Sequence, residues 1–422
     1  MRRSSWVLRC VNVKILVCLP FLGVGACGGS AHADEGQNKP RPVAVADDAQ
    51  DKENQQLLES LKTSTSINFQ ATKLRNAIDM LATIHELPIV IDLDELKKAG
   101  IDPDFPINLV IDGVPLSSAL SLILEPLDLG WYVTDGKITI TTAKQAVGPN
   151  VEVLYAQYAK FEDVIKTEDV KAAQAAFEKA ISTTIAPQSW KGAGGQGAIA
   201  WTEKGLVVTN NAAVQKLFEQ LTRYLTKGHK LIRSSEKSFP LNIHNAPRVA
   251  EVLTEQTELD LIDQPLIDVM AFLADLHNIN ILVDTKAMHN AGISVDSPIT
   301  LEAQGQRLSQ VLDQFLEPLK LDHVARHNVL IVTTQEKVDA LRETHIYDVK
   351  KLLGRKARPE IITEFITSKV LPKTWSQNGG DGTMAYIPGY FIVYQTPRAH
   401  RKILERFKTL RQRLDGNAVE KP

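Results

Sequence analysis

One stretch of the chain occurs twice, and this repeat constrains the fold more than any other feature of the sequence. Residues 74–142 return at residues 266–334 with one constant shift and without a gap. The matched pairs include Leu74/Leu266, Leu81/Leu273, His85/His277, Asp92/Asp284, Gly100/Gly292, Glu125/Glu317, Pro126/Pro318 and Thr142/Thr334. A match in apolar positions, turns and length indicates a folded unit that is used twice.

The apolar spacing inside this unit predicts small sheets combined with helices. Leu74, Ile78 and Leu81 fall on one face of a helix. An Asp-Gly pair at 135–136, between two alternating apolar runs, indicates a hairpin. The order of elements read in this way is βαββαββ. We expect this module at residues 67–147 (A1) and again at residues 256–340 (A2).

A second unit follows each copy of the first and has the order βαββα. Its matched pairs are Ile185/Val370, Trp190/Trp375, Gly194/Gly379, Gly195/Gly380, Gly197/Gly382 and Leu206/Phe391, with Val214/Ile403, Phe218/Phe407 and Leu221/Leu410 in a closing helix. We expect this module at residues 150–227 (B1) and at residues 344–416 (B2). The chain is therefore predicted to be an α+β protein made of tandem small α/β modules, the pair A–B being used twice.

The N-terminus carries an export signal. A basic start precedes an apolar run at residues 15–25, which is shorter than the roughly 20 residues that a spanning helix needs. Two processing sites compete. Cys27 closes a lipobox-like sequence, so the signal peptide could be residues 1–26 with a lipidated Cys27. Cleavage after Ala33 would instead remove residues 1–33 and leave Asp34 first. Either route predicts export, to the periplasm or to the outer membrane as a lipoprotein.

Two segments are predicted to connect the folded parts. Residues 34–66 are polar and poor in aromatics, a composition typical of a disordered tether, within which residues 55–61 are a candidate for a short helix. Residues 228–255 are basic and polar and are predicted to be a linker between the two halves. Because Cys10 and Cys18 lie inside the signal, the mature chain keeps Cys27 or no cysteine, which excludes disulfides and cysteine-based metal sites.

The A module resembles the secretin and TonB N-terminus short domain, a periplasmic signalling module of bacterial secretins and transducers. The resemblance lies in the helix at 74–81 with the strand at 89–92, and in the helix at 116–127 with the strand at 138–142. The B module is similar to the βαββα ring-building module that follows this domain in secretins, through the apolar runs at 206–208 and 391–393. The resemblance implies protein–protein interaction in a secretion or trans-envelope assembly.

Two observations limit the class of protein. Past the second B module the sequence has no ladder of alternating strands of the outer-membrane barrel kind, so we do not expect this chain to form a pore by itself. Its formal net charge of -2 argues against a nucleic-acid binder, which would carry a clustered excess of Lys and Arg. A membrane contact is expected only through a lipid on Cys27.

The histidines do not form a predicted metal site. His85 and His277 lie near the ends of matching helices, where structural hydrogen bonding is the favoured role. His323 and His327 have the spacing of a helical zinc pair, but the repeat aligns them with Trp131 and Asp135, a strand and its turn. Residues four apart on a strand lie about 13 Å apart, too far for one ion. We therefore expect no metal and no cofactor.

The loops around Trp190 and Trp375 are the candidate interaction loops. Their glycines are Gly194, Gly195, Gly197, Gly379, Gly380 and Gly382. A strand follows these glycines rather than the helix that a phosphate-binding loop requires, so a turn is the favoured structure. The tryptophans are predicted to anchor their own domain, with ligand or partner contact as the alternative.

No set of residues predicts an enzyme. Glu125 and Glu317 each precede a proline at a helix end, and Asp92 and Asp284 end a strand, where turn formation explains them.

We expect a non-enzymatic envelope scaffold that binds other envelope proteins, with a secretin or outer-membrane assembly as one such partner and self-association left open. A glycan-binding or peptidoglycan-binding protein that uses the Trp190 and Trp375 loops is one alternative, and it requires both tryptophans to be exposed. An undetected hydrolase is the other.

Overall fold

A computed structural model describes residues 48–148, 150–158, 169–227, 238–241, 246–350 and 358–419. The predicted signal peptide, with Cys27, Ala33 and Asp34, lies outside the described residues, as does the tether up to residue 47. The modules are taken below in chain order, and all of them belong to one compact unit, Asp47–Pro422.

Module A1 places two buried helices beside two small sheets. Its elements are α1 (Asp48–Ser60), β1 (Ser64–Lys73), α2 (Leu74–His85), β2 (Ile89–Ile91), α3 (Leu93–Lys98), β3 (Pro106–Pro115), α4 (Leu116–Leu124), β4 (Leu129–Thr134), β5 (Lys137–Thr142) and α5 (Ala143–Ala146). β1 pairs with β3, and β5 lies between β2 and β4. Because side chains alternate between the two faces of a strand, Ile67 and Phe69 of β1 point to the same side. They are buried in one core with Leu74 and Leu81 of α2 and Leu120 of α4.

Module B1 is one sheet with two helices. Its elements are β6 (Asn150–Tyr155), α6 (Val170–Thr184), β7 (Ala198–Thr202), β8 (Gly205–Asn211) and α7 (Ala212–Lys227), with strand order β6-β8-β7. One face of the sheet, with Tyr155, Leu206 and Val208, packs against Phe177 of α6 and Phe218 of α7. The opposite face is turned away from both of these helices.

Module A2 repeats A1. Its elements are α8 (Pro247–Val252), β10 (Gln256–Pro265), α9 (Leu266–His277), β11 (Asn280–Val283), α10 (Thr285–Asn290), β12 (Pro298–Arg307), α11 (Leu308–Leu316), β13 (Leu321–Arg326), β14 (Val329–Thr334) and α12 (Gln335–Ala340). β10 pairs with β12, and β14 lies between β11 and β13, as the corresponding strands do in A1.

Module B2 repeats B1 and gains a strand. Its elements are β9 (Ser238–Leu241), β15 (Glu343–Asp348), α13 (Pro359–Lys369), β16 (Thr383–Ile387), β17 (Tyr390–Gln395) and α14 (Pro397–Val419), with strand order β16-β17-β15-β9. The prediction of an α+β protein built from tandem small α/β modules is confirmed.

The tether predicted for residues 34–66 is wrong from Asp48 onward, because α1 and the start of β1 occupy this segment. Leu57 and Leu61 are buried, and the Asn54 side-chain oxygen accepts a hydrogen bond from the Gly136 N–H at 3.1 Å. α1 is polar because only a narrow stripe of it is covered. The composition of the helix therefore resembled that of a disordered segment.

The linker predicted for residues 228–255 also contains structure. β9 adds to the edge of the B2 sheet by pairing antiparallel with β15, and α8 opens module A2. α8 takes the place that α1 has in A1: the Leu61 carbonyl accepts from the Ser117 N–H at 2.9 Å, and the Leu253 carbonyl accepts from the Ser309 N–H at 3.1 Å. Residues 228–237 and 242–245 of this segment lie outside the described residues.

The closing helices α7 and α14 align one turn away from the predicted register. Tyr155 Oη hydrogen-bonds Gln215 at 3.0 Å, and the matching Tyr347 Oη lies 2.8 Å from Nδ1 of His400. Gln215 therefore corresponds to His400, and Val214 corresponds to Ala399 rather than to Ile403. An apolar stripe recurs at every turn of a helix, so the stripe alone did not determine which turn matches which.

Candidate functional site

The two predicted interaction loops are folded onto their own modules. Trp190 and Trp375 are 3% and 1% exposed. Each indole Nε1 donates a hydrogen bond to a backbone oxygen, Trp190 to Ile185 at 2.7 Å and Trp375 to Val370 at 2.6 Å. Neither ring face is available to stack on a sugar. The glycan-binding alternative is wrong in its requirement that both tryptophans be exposed.

The glycines of these loops permit close backbone approach. A Cβ built on Gly195 would lie 2.2 Å from the Ser189 carbonyl, and one built on Gly197 would lie 2.2 Å from the Asn210 amide nitrogen. Gly380 and Gly382 are crowded in the same way, and Gly194 and Gly379 have left-handed φ angles of 91° and 88°. In each loop, the chain that follows the tryptophan folds back against the residue that precedes it. The glycines recur in both loops because this geometry recurs.

The repeated histidines end matching helices and bond to neighbouring side chains. His85 Nδ1 lies 3.2 Å from Thr63 Oγ1, and burial lowers the pKa of His85. His277 Nε2 lies 3.0 Å from Thr257 Oγ1. The two aspartates Asp92 and Asp284 cap α3 and α10 by accepting the N–H groups of residues 95 and 287 at 3.1 and 3.0 Å.

His323 and His327 lie on a strand and in its turn, as the repeat predicted. His323 belongs to β13, and His327 follows it with a φ of 52°. His327 Nε2 lies 2.9 Å from Oε1 of Glu125, and Arg326 lies 3.6 Å from the same carboxylate. Glu125 is therefore more than a turn residue: its carboxylate joins A1 to A2.

Further contacts join A1 to A2. The Asn280 side chain makes two hydrogen bonds to the backbone of Asp112, at 2.9 and 2.7 Å. Leu282, Val329 and Ile331, from the sheet of A2, pack against the A1 core. The second copy of the A module thus lays one face of its sheet on the first copy.

The B modules are joined by the same kind of contact. The outer face of the B2 sheet packs on helices α6 and α7 of B1 through Ile346, Ile387 and Ile392, which share a core with Ala180 and Leu221. At the C-terminal end of α6, the hydroxyls of Thr344 and Thr383 donate to the Thr184 and Thr183 carbonyls, both at 2.5 Å. The B2 sheet therefore lies between the helices of B1 and its own helices.

An aromatic cluster completes this contact. Tyr224 of α7 stacks on Phe239 of β9 with ring centroids 5.0 Å apart, and it meets Tyr390 of β17 edge-on at 5.6 Å. Such pairs contribute roughly 0.5–1.5 kcal/mol each beyond the area that they bury. β9, which lies in the predicted linker, is part of the B1–B2 contact.

The contact between B1 and B2 is head to tail, because the sheet of B2 packs on the helices of B1. The matching sheet face of B1 and the matching helix surface of B2 take no part in this contact. On B1, the outer face of the sheet is not covered by any described element; we call it the open sheet face, and it consists of Glu152, Leu154, Ala198, Ala200, Val207 and Thr209. Leu154, Val207 and Ala200 form one cross-strand row, the counterpart of Ile346, Ile392 and Ala385 in B2. Leu154 is 44% exposed.

On B2, a groove of about 210 Å³ runs between α13 and α14; we call it the open groove, and it is lined by Phe365, Lys369, Arg406, Thr409 and Leu410. In the register set by Gln215 and His400, these residues occupy the positions of Ala180, Thr184, Leu221, Tyr224 and Leu225 in B1. The open groove is thus the copy, in B2, of the B1 surface that holds the B2 sheet.

The two open surfaces are complementary in size and charge. In the contact within the chain, small Ala180 shares a core with large Ile392 and Tyr390. On the open surfaces, the matching positions are large Phe365 on the groove and the smaller Val207 and Gly205 on the sheet. Where Thr344 bonds Thr184 within the chain, the open sheet face carries Glu152 and the open groove carries Lys369. A second copy docked in the same way would bring these opposite charges together.

One group of side chains has donor atoms close enough for a single cation. The donor atoms of Asp313, Asp322 and His323 all lie within 4.8 Å of one another. Burial raises the pKa of Asp313 to about 6 and holds the pKa of His323 well below its ordinary value. The spacing of the histidines in the sequence does not predict this group, because its members come from α11 and β13 and do not recur in A1.

None of the described helices combines the length and the apolar content that crossing a membrane requires. No protein-family model matches the chain, and no curated protein matches it. Among solved structures, the chain is similar to the one titled "Structure of XcpQN012", with 15% identity over 37% of this chain and a TM-score of 0.15. The match takes in 64% of that structure's chain, which is less than two thirds of its length.

Proposed function

We propose that this protein is an exported scaffold of the bacterial cell envelope that assembles with other proteins, and first of all with a second copy of itself, without catalysing a reaction. The observation that carries the proposal is the head-to-tail packing of B2 on B1. This packing leaves the open sheet face at one end and the open groove at the other. Head-to-tail contacts of this kind generate rings or filaments when they repeat between chains.

The composition of the two surfaces supports self-association over a chance apolar patch. The open sheet face has an apolar row with Glu152 beside it, and the open groove has Phe365 with Lys369 and Arg406 beside it. An apolar centre with charged residues at its rim is the usual composition of a protein interface. The charges are of opposite sign on the two surfaces, which favours pairing between them over pairing of either surface with itself.

The setting that we propose is a secretion or trans-envelope assembly in the periplasm. The order of the A and B modules, which resembles that at the N-terminus of secretins, supports this setting. The export signal supports the location, and a lipid on Cys27 would hold the modules at a membrane. The partners beyond a second copy would then be other envelope proteins, such as a secretin.

Site-specific photocrosslinking in cells tests the proposal. A photoreactive amino acid is placed at Leu154 in the open sheet face, at Phe365 in the open groove, and at Ile262, which is 72% exposed in A2, as the control. We expect crosslinks from Leu154 to the α13–α14 region of a second copy, and from Phe365 to strands β6–β8. Equal and weak crosslinking from all three positions, together with a strictly monomeric purified protein, would contradict it.

A further inference from the structure

A cluster of polar groups, two of them buried and one half-buried, lies where module A2 meets module B2. Asp313 comes from α11, and Asp322 and His323 are neighbours on β13. His323 Nδ1 lies 3.6 Å from Oδ1 of Asp313 and 3.7 Å from Oδ1 of Asp322. Ligand atoms around a tetrahedral zinc ion, with bonds near 2.1 Å, stand about 3.4 Å apart. The observed spacing is therefore close to that of a coordination shell.

Two buried atoms of the cluster have no hydrogen-bond partner among the described residues. The side chains of Asp322 and His323 are 3% and 2% exposed. The two unpaired atoms are Asp322 Oδ2 and His323 Nδ1. Buried polar atoms in native proteins are paired as a rule, so two orphaned atoms in one cluster indicate a missing partner.

The charges around the cluster favour a cation as that partner. Glu317 and Glu405 add their negative charge to that of Asp313. Of the described cations, Arg401 pairs with Oδ1 of Asp322 and lies 3.9 Å from Oδ1 of Asp313, and Lys402 lies 3.6 Å from Glu317. Arg401 leaves Oδ2 of Asp322 unused. Four carboxylates thus face two cationic side chains, and a divalent ion would balance them.

The repeat supplies an internal control for the fold. In A1, the positions of Asp313, Asp322 and His323 are held by Ser121, Gly130 and Trp131. There the Trp131 Nε1 donates to Ser121 Oγ at 3.3 Å. The A module therefore folds without the acidic residues and the histidine, so its own fold does not require them in A2.

We propose that Asp313, Asp322 and His323 bind one divalent transition-metal ion of the zinc class, which fastens α11 to β13 beside the B2 helix α14. One imidazole nitrogen and two carboxylates suit zinc or cobalt, whereas calcium and magnesium favour shells made of oxygen alone. Arg401 contacts both carboxylates and would orient them toward the ion.

Cobalt titration of the chelator-treated full chain tests this proposal, with visible absorption and calorimetry as readouts. His323→Gln removes the nitrogen ligand, and Asp313→Ser installs the residue that A1 carries at this position. His289→Gln, an exposed histidine of the same module, is the control. Histidines and Cys27 outside the described residues can also bind cobalt, so the decisive quantity is the difference between the variants.

We expect one more equivalent of Co²⁺ on the wild type and on His289→Gln than on His323→Gln, with Zn²⁺ displacing it. The affinity of Asp313→Ser for Co²⁺ should be lower by at least about 10–100-fold, which is the typical loss when a residue that only supports a metal ligand is removed. Zn²⁺ should raise the melting temperature of the wild type but not that of His323→Gln. If the wild type binds no ion, or if all variants bind alike while circular dichroism shows them folded, the cluster is an ion-pair network only.

Discussion

The Thr344 hydroxyl donates a hydrogen bond of 2.5 Å to the carbonyl of Thr184, 160 residues earlier in the chain. This bond joins the B2 sheet to the end of helix α6 in B1. On the open sheet face, Glu152 holds the position that matches Thr344. In the open groove, Lys369 holds the position that matches Thr184. A contact that is closed by two threonines within the chain would be closed by opposite charges between chains.

The aromatic cluster at the B1–B2 contact gives the first prediction. Tyr224→Ala removes the ring that packs on Phe239 and Tyr390, and should lower the free energy of unfolding by about 3–5 kcal/mol in urea denaturation. Phe272→Ala, at a 48% exposed position of A2, is the control and should cost less than about 1 kcal/mol. Equal losses in the two variants would contradict the packing described for B2.

The same tyrosine gives a second prediction of opposite sign. The buried Tyr224 hydroxyl finds no hydrogen-bond partner in the part of the chain that the structure describes. Tyr224→Phe keeps the ring contacts and removes this unpaired group, so stability should stay equal or rise by up to about 1 kcal/mol. A loss above that size would mean that the hydroxyl has a partner in the folded protein.

The buried tryptophans should behave as anchors. Trp375→Phe leaves the Val370 carbonyl without its donor in a buried place, which should cost about 1–3 kcal/mol of unfolding free energy. Trp131→Phe loses a longer, half-buried bond to Ser121 and serves as the control, with a cost of about 0.5–1 kcal/mol. If Trp375→Phe is neutral in denaturation but reduces binding of an envelope ligand, the anchoring role is wrong.

His400 predicts how stability depends on pH. Burial, and the stacked ring of His345 at 3.8 Å, hold the pKa of His400 well below its ordinary 6.5. As pH falls below 6.5, the unfolded chain takes up a proton that the folded chain refuses, so stability is lost on the acid side. In the fold, Tyr347 Oη contacts Nδ1 of His400 and the Glu343 carbonyl accepts from its Nε2.

The repeat supplies the variant for this measurement, because Gln215 holds the matching position in B1 and bonds the matching tyrosine. His400→Gln should therefore fold. Compared with the wild type, it should lose less stability between pH 7.5 and pH 5.0 in urea denaturation. Parallel losses in the two proteins would show that another group controls acid stability.

Much of the fold was predictable because the repeat marked its units. The matched leucines of α2 and α9 and the Asp-Gly turn gave the modules and their element order. The repeat also identified His323 as a strand residue. Its upstream limit was missed: Leu57 of α1 and Leu61 just after it match Val249 and Leu253 in position, and all four contribute to the cores of A1 and A2, but the polar residues between them differ so much that the sequences no longer align.

The contacts between modules were not predictable from the sequence. A strand residue such as Ile392 is apolar whether its face packs on its own helices or on those of another module. Glu125 looked like a turn residue because its partner, His327, lies 202 residues further along the chain. The group of Asp313, Asp322 and His323 was hidden for the same reason, since proximity across elements leaves no spacing pattern.

Self-association through the open sheet face and the open groove is the central claim, and a charge exchange measured by sedimentation equilibrium tests it most directly. Glu152→Lys and Lys369→Glu should each weaken self-association of the full chain by about fivefold, corresponding to ~1 kcal/mol, and the double variant should restore it. The exposed Glu203→Lys and Lys373→Glu should leave it unchanged. A monomeric wild type, or a double variant no better than the single ones, would contradict the account.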